Sequence, residues 1–261
     1  MVVLRELTPG RPIRMEDDLK ELGENTLGKL KEAIKQGNRE LSLALADYLF
    51  LEGKAIHDTY IDWVFADLDW IARNYGEEEI PKVLRHVRGH QLKMMQQLMQ
   101  HSKSPPVTQL TGVDYVKMYA EFMRGHRSGP DELGDIKVWE GKDCWVMAFD
   151  PCGSGGGVAR GPRDGSGSRL KPPYNLGKTT KPYPWAWGKV GVPYYCLHCC
   201  LWSEIMAIEQ TGYPSRITEC PADDFSKPCH WYIYKDPNLI PEKYFNRVGF
   251  KKDPSRFRRR S

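Results

Sequence analysis

The spacing of apolar residues changes partway along the chain, from a helical period to strand-like alternation. Between residues 41 and 74 no proline interrupts the sequence, and Leu41, Leu45, Tyr48, Leu49, Ile56, Tyr60, Val64, Leu68 and Ile71 recur mostly every three or four residues. That period places them on one face of a long helix. Leu43, Phe50, Ile61 and Trp63 widen the face, so the helix is expected to be covered on more than one side. A shorter helix in LGKLKEAIKQ precedes it, capped by Asn25 or Thr26 and closed by Gly37, and Gly76 ends the long one. A third helix is predicted over residues 78–100, with Ile80, Val83, Leu84, Val87, Met94, Met95 and Leu98 toward the core. A fourth follows in TGVDYVKMYAEFMRGH, where Val113, Val116, Ala120 and Met123 share a face.

After Gly129 and Pro130, alternating and aromatic residues replace the helical period. Residues 135–140 and 144–149 read as two strands around a Gly141-Lys142 turn, and 215–219 and 230–235 as a second pair. A helix is expected over about 198–210. The expected fold is α+β: an N-terminal helical, bundle-like half, then a small antiparallel sheet with one packed helix and long Gly-, Pro- and aromatic-rich loops. This divides the chain into an arm (1–24), a helical domain (25–128), a cysteine-rich α+β domain (129–250) and a basic tail (251–261).

Composition narrows the class. Hydrophobic residues make up 40% and charged residues 28% of the 261, a balance that excludes collagen, rod and low-complexity readings. The net charge of +4 is concentrated in the tail, where Lys251, Lys252, Arg256, Arg258, Arg259 and Arg260 face a single Asp253. The near-neutral remainder offers no electrostatic track and no known reading motif, which argues against a nucleic-acid partner. The opening MVVLRELTPGRPIR lacks the apolar core of a secretory signal, and no run approaches the roughly 20 apolar residues of a membrane span. A cytoplasmic location without a membrane partner is therefore expected.

Seven cysteines, an odd number that begins only at Cys144, speak against a disulfide framework and for metal or thiol chemistry. Cys144 lies in a strand pattern and reads as core. The other six fall in FDPCGSGGG (Cys152), YYCLHCCLW (Cys196, Cys199, Cys200) and the TECP and KPCHW pair (Cys220, Cys229). Cys196 and Cys199 form a C-x2-C unit, and pairing the last two strands draws Cys220 and Cys229 together. Cys152, Cys196, Cys199, Cys220 and Cys229 are thus the expected metal ligands, holding an iron-sulfur cluster or zinc, which the sequence does not separate. His198 and His230 adjoin them as further ligands or proton carriers, and Cys200 is the candidate nucleophile.

Glycine and serine amides after Cys152 suit an anion, with Arg160, Arg163, Arg169 and Lys171 adding charge. Trp185 and Trp187, in an aromatic-rich loop, are expected to close over an apolar group. Glu52, His57, Asp58 and Asp62 on the long helix, with His86 and His90 on the next, lack the paired E-x-x-H units of a bundle metal site and read as surface and boundary polar residues. The functional expectation is a cysteine-rich metal-site enzyme, an iron-sulfur oxidoreductase or a zinc-dependent enzyme, acting on a small anionic molecule with an apolar or aromatic part. The alternative is a structural-zinc module for ligand or protein binding without catalysis. A redox partner or a second copy of the chain is compatible with either.

Overall fold

The computed structural model describes residues 3–8, 11–15, 19–100, 112–161 and 165–258. The chain begins with β1 (Val3–Thr8) and β2 (Arg11–Met15), paired antiparallel with a register shift between Glu6 and Thr8. The stretch expected to be an unpatterned arm therefore contains a hairpin, whose weak apolar alternation does not announce strands.

Asparagine side chains start the helices that follow. After α1 (Leu19–Leu22), α2 (Thr26–Lys35) opens with Asn25 Oδ1 accepting the Gly28 amide at 2.7 Å. The long helix α3 (Arg39–Tyr75) opens with Asn38 Oδ1 accepting the Leu41 amide at 3.1 Å. Each bond satisfies one of the amides that a helix start leaves without a partner. Gly76, at φ +100°, ends α3, and α4 (Ile80–Gln100) runs back beside it.

The buried stripe of α3 is Leu45, Ile61, Phe65 and Leu68, while Ile56 is 73% and Tyr60 56% exposed. The stripe is rotated from the expected face because the helix carries apolar residues all round, and its neighbours decide which of them are covered. Those neighbours include Ile80 and Leu84 of α4, and Val158, Tyr194, Leu197 and Phe245 from the C-terminal part of the chain. Residues from both halves thus share a core cluster.

Four antiparallel strands form the main sheet in the order β3 (Lys137–Glu140), β4 (Cys144–Phe149), β6 (Cys229–Tyr234), β5 (Ile217–Glu219). Along β6 burial alternates: Cys229, Trp231 and Ile233 are buried, and His230, Tyr232 and Tyr234 less so. Cys229 pairs with Phe149 and Trp231 with Met147, so these four share a face, and Val116 and Met123 of α5 (Gly112–Arg124) cover it.

The glycine-rich stretch after Cys152, which the sequence places among the long loops, contains a short buried helix, α6 (Gly155–Arg160). Its glycines permit close packing. A Cβ on Gly155 would lie 2.6 Å from Cys196 Sγ, and one on Gly153 1.9 Å from the Arg127 carbonyl oxygen. The helix expected near 198–210 is α7 (Leu197–Cys200), a single π-helical stretch (Leu201–Ile205) and α8 (Met206–Thr211). A short α9 (Lys243–Asn246) buries Tyr244 and Phe245. Among the described residues, no helix is long and apolar enough to cross a membrane.

Phe65 is fully enclosed. Phe65→Ala is expected to cost about 3–5 kcal/mol of unfolding free energy in urea, and Ile56→Ala less than about 0.5 kcal/mol. The reverse order would mean that α3 buries its other face.

Candidate functional site

The π-helical stretch aims Glu204 into the protein, where its side chain is fully buried. Three groups from three segments meet its carboxylate. Trp187 Nε1 donates at 2.8 Å, the Thr218 amide at 2.9 Å, and Arg247 Nη2 donates to both oxygens at 2.9 Å. Burial pushes the Glu204 carboxyl above the ordinary carboxylate range, and Arg247, the Thr218 amide and Trp187 pull it back. The network locks the aromatic loop, the helix and β5 to the C-terminal segment, and so sets the positions of Trp187 and Thr218.

Those two residues belong to the wall of a cavity of about 220 Å³. Helix α5 contributes Tyr119, Phe122, Met123 and its neighbour His126, the sheet contributes Phe149 and Trp231, and the helix beginning at Leu197 contributes His198 and Trp202. The wall is thus mostly apolar. Five cysteines, Cys152, Cys196, Cys199, Cys220 and Cys229, complete it.

The metal centre expected at these cysteines is overturned. Among the described residues, no group of three or more His, Cys, Asp or Glu side chains is placed to hold a metal ion. Sharing a wall is not convergence, since zinc ligation brings deprotonated sulfurs to about 2.3 Å from one point. Burial instead pushes the thiols of Cys152, Cys199 and Cys229 up, and a hydrogen bond to Cys220 together with burial does the same for Cys196. Arg216 Nη2 lies 3.5 Å from Cys199 Sγ, so that sulfur has a cation as its neighbour. The iron-sulfur cluster, the zinc site in either its catalytic or its structural form, and the metal- or thiol-dependent oxidoreductase built on them all fall with this geometry.

The remaining expected site residues scatter. Cys200 is buried in the core with its thiol toward the Pro184 carbonyl at 3.6 Å, and burial pushes it well up. His230 stands on the opposite face of β6 from Cys229, between Trp139 and Tyr232. Arg160 donates to the Phe225 carbonyl at 3.0 Å, and Arg169 is held by Asp62 at 2.7 Å. Trp185 stacks on Tyr183 with ring centres 4.2 Å apart. Arg163 lies outside the described residues. Of these candidates beyond the five cysteines, the structure brings His198 and Trp187 to the cavity.

Sequence reasoning missed the cavity's cation. Arg216 is 8% exposed, its guanidinium lies 3.3 Å over the Trp231 ring and 5.2 Å from that of Tyr119, and its Nε is buried without a hydrogen-bond partner. Thr218 Oγ1 and Trp231 Nε1 are likewise buried without partners. The flanking sequence PSRIT carries no motif, so only the strand's position reveals Arg216. The chain matches no family model, no curated protein and no solved structure.

Both cavity histidines are held neutral. His198 donates Nδ1–H to the Tyr195 carbonyl at 2.5 Å, leaving Nε2 to accept from the Cys199 thiol at 3.4 Å. Burial, helped by Arg216 and Arg88, pushes it down to about 4. Burial also takes His126 to about 4. A histidine whose folded value lies below its unfolded one loses stability as pH falls from about 6.5 toward 4, because the unfolded chain takes the proton first. Between pH 7 and 4.5 the wild type should therefore lose on the order of 2 kcal/mol more than His198→Gln in urea unfolding. Equal losses would show that His198 does not stay neutral in the fold.

Proposed function

We propose that the protein binds a small anionic molecule with an aromatic or apolar body in this cavity, its anionic group meeting Arg216, Thr218 and Trp231. The observation that carries this reading is that three of the cavity-lining residues each hold a buried polar atom without a hydrogen-bond partner: Arg216 Nε, Thr218 Oγ1 and Trp231 Nε1. Leaving such an atom unsatisfied costs about 1–3 kcal/mol, and more when it is charged. A carboxylate has lone pairs enough for all three, and a guanidinium fork matches it.

Charge favours an anion over a neutral ligand. Arg216 is the only permanently charged side chain on the described wall, and burial favours the neutral forms of Cys152, Cys199, His198 and His126 around it. Size favours one ring or its aliphatic equivalent. An apolar cavity of roughly 150 Å³ holds benzene, so about 220 Å³ accommodates a ring with a short acidic arm. Phe122, Phe149 and Trp202 supply apolar surface for that body.

The test is a tryptophan-fluorescence titration of the intact protein with benzoate and phenylacetate against the corresponding amides. The acids should bind at least tenfold more tightly, and Arg216→Gln should remove that preference while circular dichroism stays unchanged. A tenfold ratio corresponds to about 1.4 kcal/mol, within the worth of a hydrogen bond to a charged group. Equal affinity for acid and amide in the wild type would reject the reading.

A further inference from the structure

Ser154 also lines the cavity, and it is not isolated. Its side chain is buried, at 5% exposure, and its Oγ lies 3.3 Å from Nε2 of His57, 97 residues away on α3. His57 Nδ1 lies 2.9 Å from Asp58 Oδ1. A carboxylate cannot donate, so Nδ1 carries the proton and Nε2 is left to accept from the Ser154 hydroxyl. Asp58 is itself fixed by Lys54, whose Nζ is 3.1 Å from Glu132 Oε2. Burial works to raise the Asp58 carboxyl, but the bonds from His57 and Lys54 outweigh it and hold it below the ordinary value.

We infer that Ser154, His57 and Asp58 form a hydroxyl-nucleophile site for acyl transfer, which cleaves esters of small aromatic or apolar acids held in the cavity. Hydroxyl to Nε2, and Nδ1–H to carboxylate, is the order of contacts by which an imidazole activates an alcohol. A separation of 3.3 Å is at the long end, as resting sites often are before substrate tightens them. The site uses neither metal nor thiol. Its geometry stands independently of the anion reading, which contributes only the class of acid.

The chemistry balances with water as the sole co-reactant. Ser154 Oγ attacks the ester carbonyl carbon as its proton passes to His57 Nε2. The bond to the leaving alcohol then breaks and His57 returns that proton to the alkoxide. Water attacks the acyl-serine with His57 again taking a proton, and the proton returns to Ser154 as the acid is released. Asp58 touches no reacting atom; it is a positioning residue that keeps His57 in the tautomer with Nε2 free.

Labelling of the intact protein with diisopropyl fluorophosphate tests this without knowledge of the substrate. Intact-mass and peptide analysis should find one adduct, on Ser154, absent from Ser154→Ala. His57→Gln should slow labelling at least a hundredfold, the scale of general-base assistance. In Asp58→Asn the labelling rate should fall and its pH profile should shift, which a merely structural role would not produce. Absence of an adduct on Ser154 in the folded wild type would overturn the proposal, and so would wild-type labelling rates in His57→Gln. Either result would leave the benzoate titration untouched, so the two readings fail separately.

Discussion

The buried carboxylate of Glu204 is the constraint on which the site depends. One oxygen pair receives the indole of Trp187, the backbone of β5 at Thr218 and the guanidinium of Arg247. A charge taken out of water is tolerated only when fully paired, and removing one partner of such a pair typically costs about 3–5 kcal/mol. The π-helical stretch provides the geometry, since the wider turn is what brings Glu204 to the joint between loop, helix and strand. Once β5 is fixed, Arg216 and Thr218 stand where they do.

Behind that joint the cavity is a place where burial wins over charge. Burial pushes the thiols of Cys152, Cys199 and Cys229 up and the imidazoles of His198 and His126 down, because ionising them inside protein costs more than their neighbours return. Arg216 is the cation among them, its guanidinium stacked on Trp231. A neutral, mostly apolar chamber with one cation suits recognition of an anion with an apolar body and is unsuited to gathering thiolates around a metal.

Much of the architecture was legible from the chain, and the parts that were not have identifiable causes. The 144–149 strand, the Gly76 stop and the caps at Asn25 follow from local rules, because alternation, glycine and short polar side chains act on their own neighbourhood. The face of α3 did not, since a helix apolar all round leaves the choice to packing. Strand pairing does carry Cys220 and Cys229 to the cavity that Cys152, Cys196 and Cys199 share, yet proximity on a wall is not ligation. Arg216 is silent in sequence because its meaning lies in what surrounds it. The contact of Ser154 with His57 spans 97 residues, and no local pattern encodes it.

The most direct measurement of the central claim is the ¹⁵N–¹H resonance of the Arg216 Nε group, assigned by loss of the signal in Arg216→Gln. Addition of benzoate should move it downfield and slow its exchange with solvent, as expected when a buried donor gains a carboxylate. A resonance that keeps both its position and its exchange rate at saturating benzoate would contradict the account.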